Sequence, residues 1–182
     1  MRRNILPQLP NAISLVRLFS VPVLVLLILF NHMSLALWIF IGASLSDAAD
    51  GYLARKFNIR STLGWYLDPL ADKILLMSMF GVFAFLKEVP LALAAIVILR
   101  DIVIFGMVLY LRKKGGNELG SPVFISKAHT LFQMVFITLI LIKLAFPSPL
   151  ENVVKIFSYI IVVTTFLSTF EYSKVAYRLL KR

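Results

Sequence analysis

Apolar residues run through this chain in stretches longer than the strands or one-faced helices of a soluble domain, and polar residues collect in short breaks between them. A helix needs about 20 mostly apolar residues to cross the hydrocarbon of a bilayer. On that measure the pattern predicts spans at 12–31, 35–56, 63–86, 90–111, 122–146 and 152–172. Residues 1–10, which hold Arg2, Arg3, Pro7 and Pro10, read as an interfacial lead-in. The first apolar run lacks a convincing small-residue cleavage site and is expected to be a retained helix. No composition shift, internal repeat or low-complexity tract interrupts the series. The expectation is a single membrane-embedded domain over 1–182, all-α and polytopic, with about six transmembrane helices.

Composition strengthens that reading. The 182 residues are 60% hydrophobic and 15% charged, and the mean hydropathy is +0.89. A soluble domain of this length could not bury so much apolar surface. The absence of cysteine excludes a disulfide framework and a thiolate metal site. Nineteen Lys and Arg against nine Asp and Glu give a net charge of +10. Because these cations cluster where spans end, anionic lipid headgroups are the expected partner, and nucleic acid is not. Arg2 and Arg3, then Arg55, Lys56 and Arg60, then Arg112 to Lys114, then Lys174, Arg178, Lys181 and Arg182 fall on one side of alternating spans. The positive-inside rule puts that side, and both termini, in the cytoplasm.

Against this background, carboxylates inside apolar segments stand out. The second span ends in Asp47, Asp50, Gly51, Ala54 and Arg55, spaced D-x-x-D-G-x-x-A-R; the third opens with Gly64, Asp68 and Asp72, spaced G-x-x-x-D-x-x-x-D. Ionised groups in such places are costly unless neutralised. On helices, Asp47 and Asp50 share a face, and Gly64, Asp68 and Asp72 form a stripe. Two consecutive antiparallel helices could bring the four carboxylates around one point. Oxygen ligands without His or Cys favour a hard cation, Mg²⁺ or Mn²⁺. The small residues leave room for a nucleotide, and an arginine fork suits phosphate oxygens.

With these motifs in place, the chain resembles the CDP-alcohol phosphatidyltransferase family at every defined motif position, and the similarity includes the segment Leu9, Pro10, Asn11, Ser14 and Arg17. The resemblance implies transfer of a phosphatidyl group from a CDP-linked donor to an alcohol, with release of CMP. By carry-over, Asp47, Asp50 and Asp68 would hold the metal, and Asp72 would be the general base while also touching metal. Gly51, Arg55 and Ser61 would contact CDP-diacylglycerol, Ala54 and Gly64 would shape the nucleotide space, and Asn11 is a weaker member of that pocket. Crowding by other carboxylates would make Asp72 a stronger base than an exposed aspartate. Homodimerisation is expected from the resemblance alone.

The acceptor is a glycerol-type alcohol by the same resemblance. Ser126, Lys127, His129 and Thr130 lie in a segment similar to that of eukaryotic-type cardiolipin synthases, which favours phosphatidylglycerol over glycerol 3-phosphate. Arg17, Arg100, Arg112 and Lys127 are the candidate acceptor-binding residues. Two of them carry alternatives: Arg17 as a snorkelling interfacial arginine, and Arg100 with Asp101 as a structural ion pair. His129 reads as a helix-packing residue. A Mg²⁺ transporter or a degenerate scaffold is the competing class. A transporter should carry polar groups through the outer half of the bilayer, and a scaffold should have lost a motif position; neither is seen.

Overall fold

The computed structural model describes the backbone of residues 9–57, 62–113 and 124–180, and the side chains of 14–46, 70–110 and 125–174. The described residues form six helices and no strand: α1 (Leu9–Leu29), α2 (Met33–Phe57), α3 (Thr62–Phe85), α4 (Leu91–Lys113), α5 (Phe124–Ala145) and α6 (Glu151–Leu180). Each predicted span corresponds to one helix. The ends differ by more than two residues in two places. Helix α1 begins at Leu9, inside the expected lead-in, with Pro10 in the first turn where its missing N–H costs nothing. Helix α6 runs past residue 172 to Leu180, because Lys174, Ala176, Arg178 and Leu179 are good helix formers beyond the apolar run.

Two of the breaks are built the same way. After α1, Asn31 adopts φ 64, and its N–H donates to the Ile28 carbonyl while the His32 N–H donates to Leu27. After α3, Lys87 adopts φ 62, its N–H donating to Ala84 and that of Glu88 to Phe83. Both are Schellman caps, in which a left-handed residue lets the chain turn back and satisfy orphan carbonyls. The breaks between apolar runs are thus hydrogen-bonded stops.

Two compact units divide the chain: Met1–Val82 with Ile140–Ser148, and Phe83–Leu139 with Pro149–Arg182. In the first, α1 packs on α2. The buried line of α1 is Ser14, Arg17, Val21, Leu24 and Ile28, stepping by three or four residues as one helix face requires. Met33, Ala36, Leu37 and Phe40 of α2, and Ala71, Leu75, Leu76 and Met79 of α3, supply the other buried apolar surface. In the second unit α4 packs on α6. There the buried line of α6 is Ile161, Thr165, Ser168 and Tyr172.

The outward faces are as apolar as the cores. On α6, Ile156, Tyr159, Val163, Phe166, Leu167 and Phe170 are all exposed. A surface of that kind is unfavourable in water and suits hydrocarbon. Leu91–Tyr110, Ile125–Ala145 and Glu151–Lys174 are long and apolar enough to cross a membrane, while Ser14–Leu29 and Met33–Ser46 are shorter apolar helices among the described residues.

Candidate active site

The buried line of α1 changes from apolar to polar at one end, where Ser14 and Arg17 take up positions that Val21, Leu24 and Ile28 occupy further along. Arg17, its side chain only 2% exposed, donates from Nη1 to Asp72 Oδ1 at 2.6 Å. Its Nε donates to the Ala43 carbonyl of α2 at 3.3 Å. A charge-assisted bond this short is among the stronger polar contacts a protein makes. It is also needed here, since a buried guanidinium without a counter-charge costs several kcal/mol. Asp72 is 19% exposed, less enclosed than its partner.

This arginine therefore joins three helices within the first unit. It holds α3 through a carboxylate and α2 through a backbone carbonyl. Ala43 lies one helical turn before position 47, and Asp72 one turn after position 68. The backbone of α2 is helical through positions 47, 50, 51, 54 and 55, and that of α3 through 64, 68 and 72, as the motif spacing predicts. The side chains of Asn11, Asp47, Asp50, Gly51, Ala54, Arg55, Gly64, Asp68 and Arg112, and all of Ser61, lie outside the described residues. Among the carboxylates of the motif, Asp72 is the one whose contacts are described.

A second polar group lies in the other unit. Arg100 and Asp101, buried on α4, pair at 2.6 Å through Nη1 and Oδ1. Arg100 Nε donates to Ser168 of α6 at 3.0 Å, and Nη2 donates to Ser126 of α5 at 3.1 Å. Gln133 of α5 donates from Nε2 to Asp101 Oδ2 at 3.2 Å. The guanidinium uses all three nitrogens within the protein, as the structural ion-pair alternative requires. His129 Nδ1 lies 2.9 Å from Thr164 Oγ1, a hydrogen bond whose direction follows the imidazole tautomer. That contact ties α5 to α6, in keeping with a packing role. Lys127 is exposed near the start of α5.

Sequence reasoning picked out Arg17, Asp72 and the Arg100–Asp101 pair, but it missed the pairing of Arg17 with Asp72 and the roles of Ser168 and the Ala43 carbonyl. Ser168 had a signal, since it falls three residues after Thr165 on an otherwise apolar line of α6. The Ala43 carbonyl had none, because a helical backbone acceptor is invisible in the sequence.

Fold and motif together define a class: an all-helical, lipid-suited chain with acidic positions shared between two consecutive helices. A profile of the CDP-alcohol phosphatidyltransferases matches residues 7–169, and the chain belongs to that family. Among curated relatives, the human cardiolipin synthase (CMP-forming) is 33% identical over 145 residues, covering 71% of this chain and 48% of that protein. A cardiolipin synthase (CMP-forming) / mitochondrial hydrolase fusion protein of Schizosaccharomyces pombe is 32% identical over 94% of this chain and 31% of its own length. A CDP-diacylglycerol–glycerol-3-phosphate 3-phosphatidyltransferase of Wigglesworthia glossinidia brevipalpis is 33% identical over 98% of this chain and 97% of that protein. The chain thus spans half or less of the two cardiolipin-synthase relatives and nearly all of the third.

Proposed function

We propose that this protein transfers the phosphatidyl group of CDP-diacylglycerol to a glycerol-type alcohol and releases CMP. The observation that carries the reading is the complete acidic motif on α2 and α3, with Asp72 held at its inner end by the buried Arg17. In the transfer, the acceptor oxygen bonds to the phosphatidyl phosphorus as the phosphoanhydride bond to CMP breaks. The hydroxyl proton passes to Asp72, and CMP leaves carrying the bridging oxygen.

The motif offers carboxylate oxygens and, in a chain without cysteine, no thiolate. That donor set fits Mg²⁺ or Mn²⁺, held by Asp47, Asp50, Asp68 and Asp72. A bound divalent ion would neutralise the pyrophosphate and stabilise charge on the leaving CMP. Gly51, Ala54, Arg55, Ser61 and Gly64, with Asn11, are assigned to the donor. The chain is a multi-pass membrane protein with its motif and termini at the cytoplasmic face, supported by the placement of basic residues, and it works as a homodimer.

For the acceptor, phosphatidylglycerol is the preferred substrate, giving cardiolipin. The Ser126–Lys127 segment and the likeness to cardiolipin synthases support it. Glycerol 3-phosphate is the second reading, supported by the near full-length match to the Wigglesworthia protein. Arg17 and Arg100 are engaged by Asp72 and Asp101, which leaves Arg112 and the exposed Lys127 as the stronger candidates for an acceptor phosphate. Each acceptor supplied separately with CDP-diacylglycerol and Mg²⁺ in mixed micelles tests the choice. Cardiolipin from phosphatidylglycerol is the expected product; phosphatidylglycerophosphate without cardiolipin would transfer the assignment to the second reading.

A further inference from the structure

Arg17 was expected to receive the acceptor or to snorkel to the interface, and the contacts described for it are to neighbouring helices. Its side chain is almost wholly enclosed, its Nη1 lies 2.6 Å from Asp72 Oδ1, and its Nε lies 3.3 Å from the Ala43 carbonyl. A snorkelling arginine extends its head to water. An arginine waiting for a phosphate presents its paired N–H groups to the space the phosphate will fill. Here Nη1 meets a carboxylate on α3 and Nε a carbonyl on α2. Ser20, one turn on, donates its hydroxyl proton to the Arg17 carbonyl at 2.6 Å.

We infer that Arg17 is a positioning residue for Asp72. It sets the orientation of the carboxylate that receives the acceptor proton, and it fixes the separation of α2 and α3 by tying both to α1 one turn from positions 47 and 68. The role presupposes the transferase reading above. The guanidinium suits it for a geometric reason: its N–H groups diverge in one plane, so a single side chain reaches two helices at once. A lysine carries the same charge on one nitrogen and can serve Asp72 or Ala43, but holds both poorly. Charge alone is therefore insufficient, and the conservative change becomes informative.

The test compares wild type, Arg17→Lys, Arg17→Gln and Arg17→Ala for CMP release from CDP-diacylglycerol, with KM for donor and acceptor and thermal unfolding in detergent measured on each. Arg17→Gln is expected to lower kcat about 100-fold, the scale of an ångström-level misplacement of a reacting group, with each KM changed less than about threefold. Arg17→Lys, which keeps the charge balance and with it the fold, is expected to unfold at the wild-type temperature yet remain at least about tenfold slow. Adding methylguanidinium to Arg17→Ala should restore part of kcat. A raised KM for the acceptor with unchanged kcat would make Arg17 an acceptor contact and overturn the inference. So would wild-type turnover by Arg17→Lys. A wild-type chain that forms no phosphatidyl product would instead refute the transferase reading, before any variant is compared.

Discussion

At the scale of single residues, what distinguishes this chain is where it places charge inside apolar helices. Arg17 with Asp72, and Arg100 with Asp101, are each brought to 2.6 Å and hydrogen-bonded further. The two pairs differ in enclosure: Asp101 has no exposed side-chain surface, while Asp72 retains 19%. The more open carboxylate is the one in the motif, as a group that must meet a substrate requires. Asp72→Asn is accordingly expected to abolish transfer while leaving CDP-diacylglycerol binding largely intact, which equilibrium binding of the donor and single-turnover CMP release can separate. Asp50→Asn is expected to act differently, because in the proposed metal site it removes a charged oxygen from a set without His or Cys. Its CMP release should be lost, and raising Mg²⁺ should recover more of it than for Asp72→Asn. Equal responses of the two variants to Mg²⁺ would show that the roles are not divided this way.

At the scale of helices, the buried pair on α4 is a clasp for α5 and α6, and its energetics give a stability prediction. Arg100→Met leaves Asp101 buried without its cation and should destabilise the protein by about 3–5 kcal/mol. Replacing both residues, as Arg100→Met with Asp101→Leu, should recover most of that loss, because the unpaired charge is then gone. Thermal unfolding of the two variants in detergent checks the order. The caps give a smaller effect of opposite sign. Lys87→Gly relieves a left-handed backbone that costs a side-chain-bearing residue about 1 kcal/mol, so a modest rise in unfolding temperature is expected. The helices were legible from apolar runs because membrane length and helical rise together set a narrow window. Their partners were not, since Arg17 and Asp72 are 55 residues apart and no local pattern joins them. Arg100 and Asp101 are adjacent in sequence, yet their links to Ser126, Gln133 and Ser168 arise only when three helices meet.

At the scale of the whole molecule, the family was readable from one strip of the chain, because the motif combines charge, small residues and exact spacing across two helices. The acceptor was not, since its candidate residues are scattered basic groups, two of which turn out to be engaged by carboxylates. Topology can be tested directly because the chain has no cysteine. Single substitutions His32→Cys, Glu151→Cys and Lys174→Cys sit at exposed positions. An impermeant thiol reagent added outside intact cells is expected to label the first two and to label the third only after permeabilisation. Labelling of Lys174→Cys from outside would reverse the orientation.

The central claim is a phosphatidyl transfer in which the phosphoanhydride of a CDP-linked lipid is cleaved. Its most direct measurement uses CDP-diacylglycerol carrying one label on the phosphatidyl phosphorus and another on cytidine, incubated with purified protein, Mg²⁺ and phosphatidylglycerol or glycerol 3-phosphate. The phosphorus label should appear in a new lipid and the cytidine label in CMP, in equal amounts and only when an acceptor is present. Phosphorus label that stays in CDP-diacylglycerol with either acceptor, or passes only to phosphatidate by hydrolysis, would contradict it.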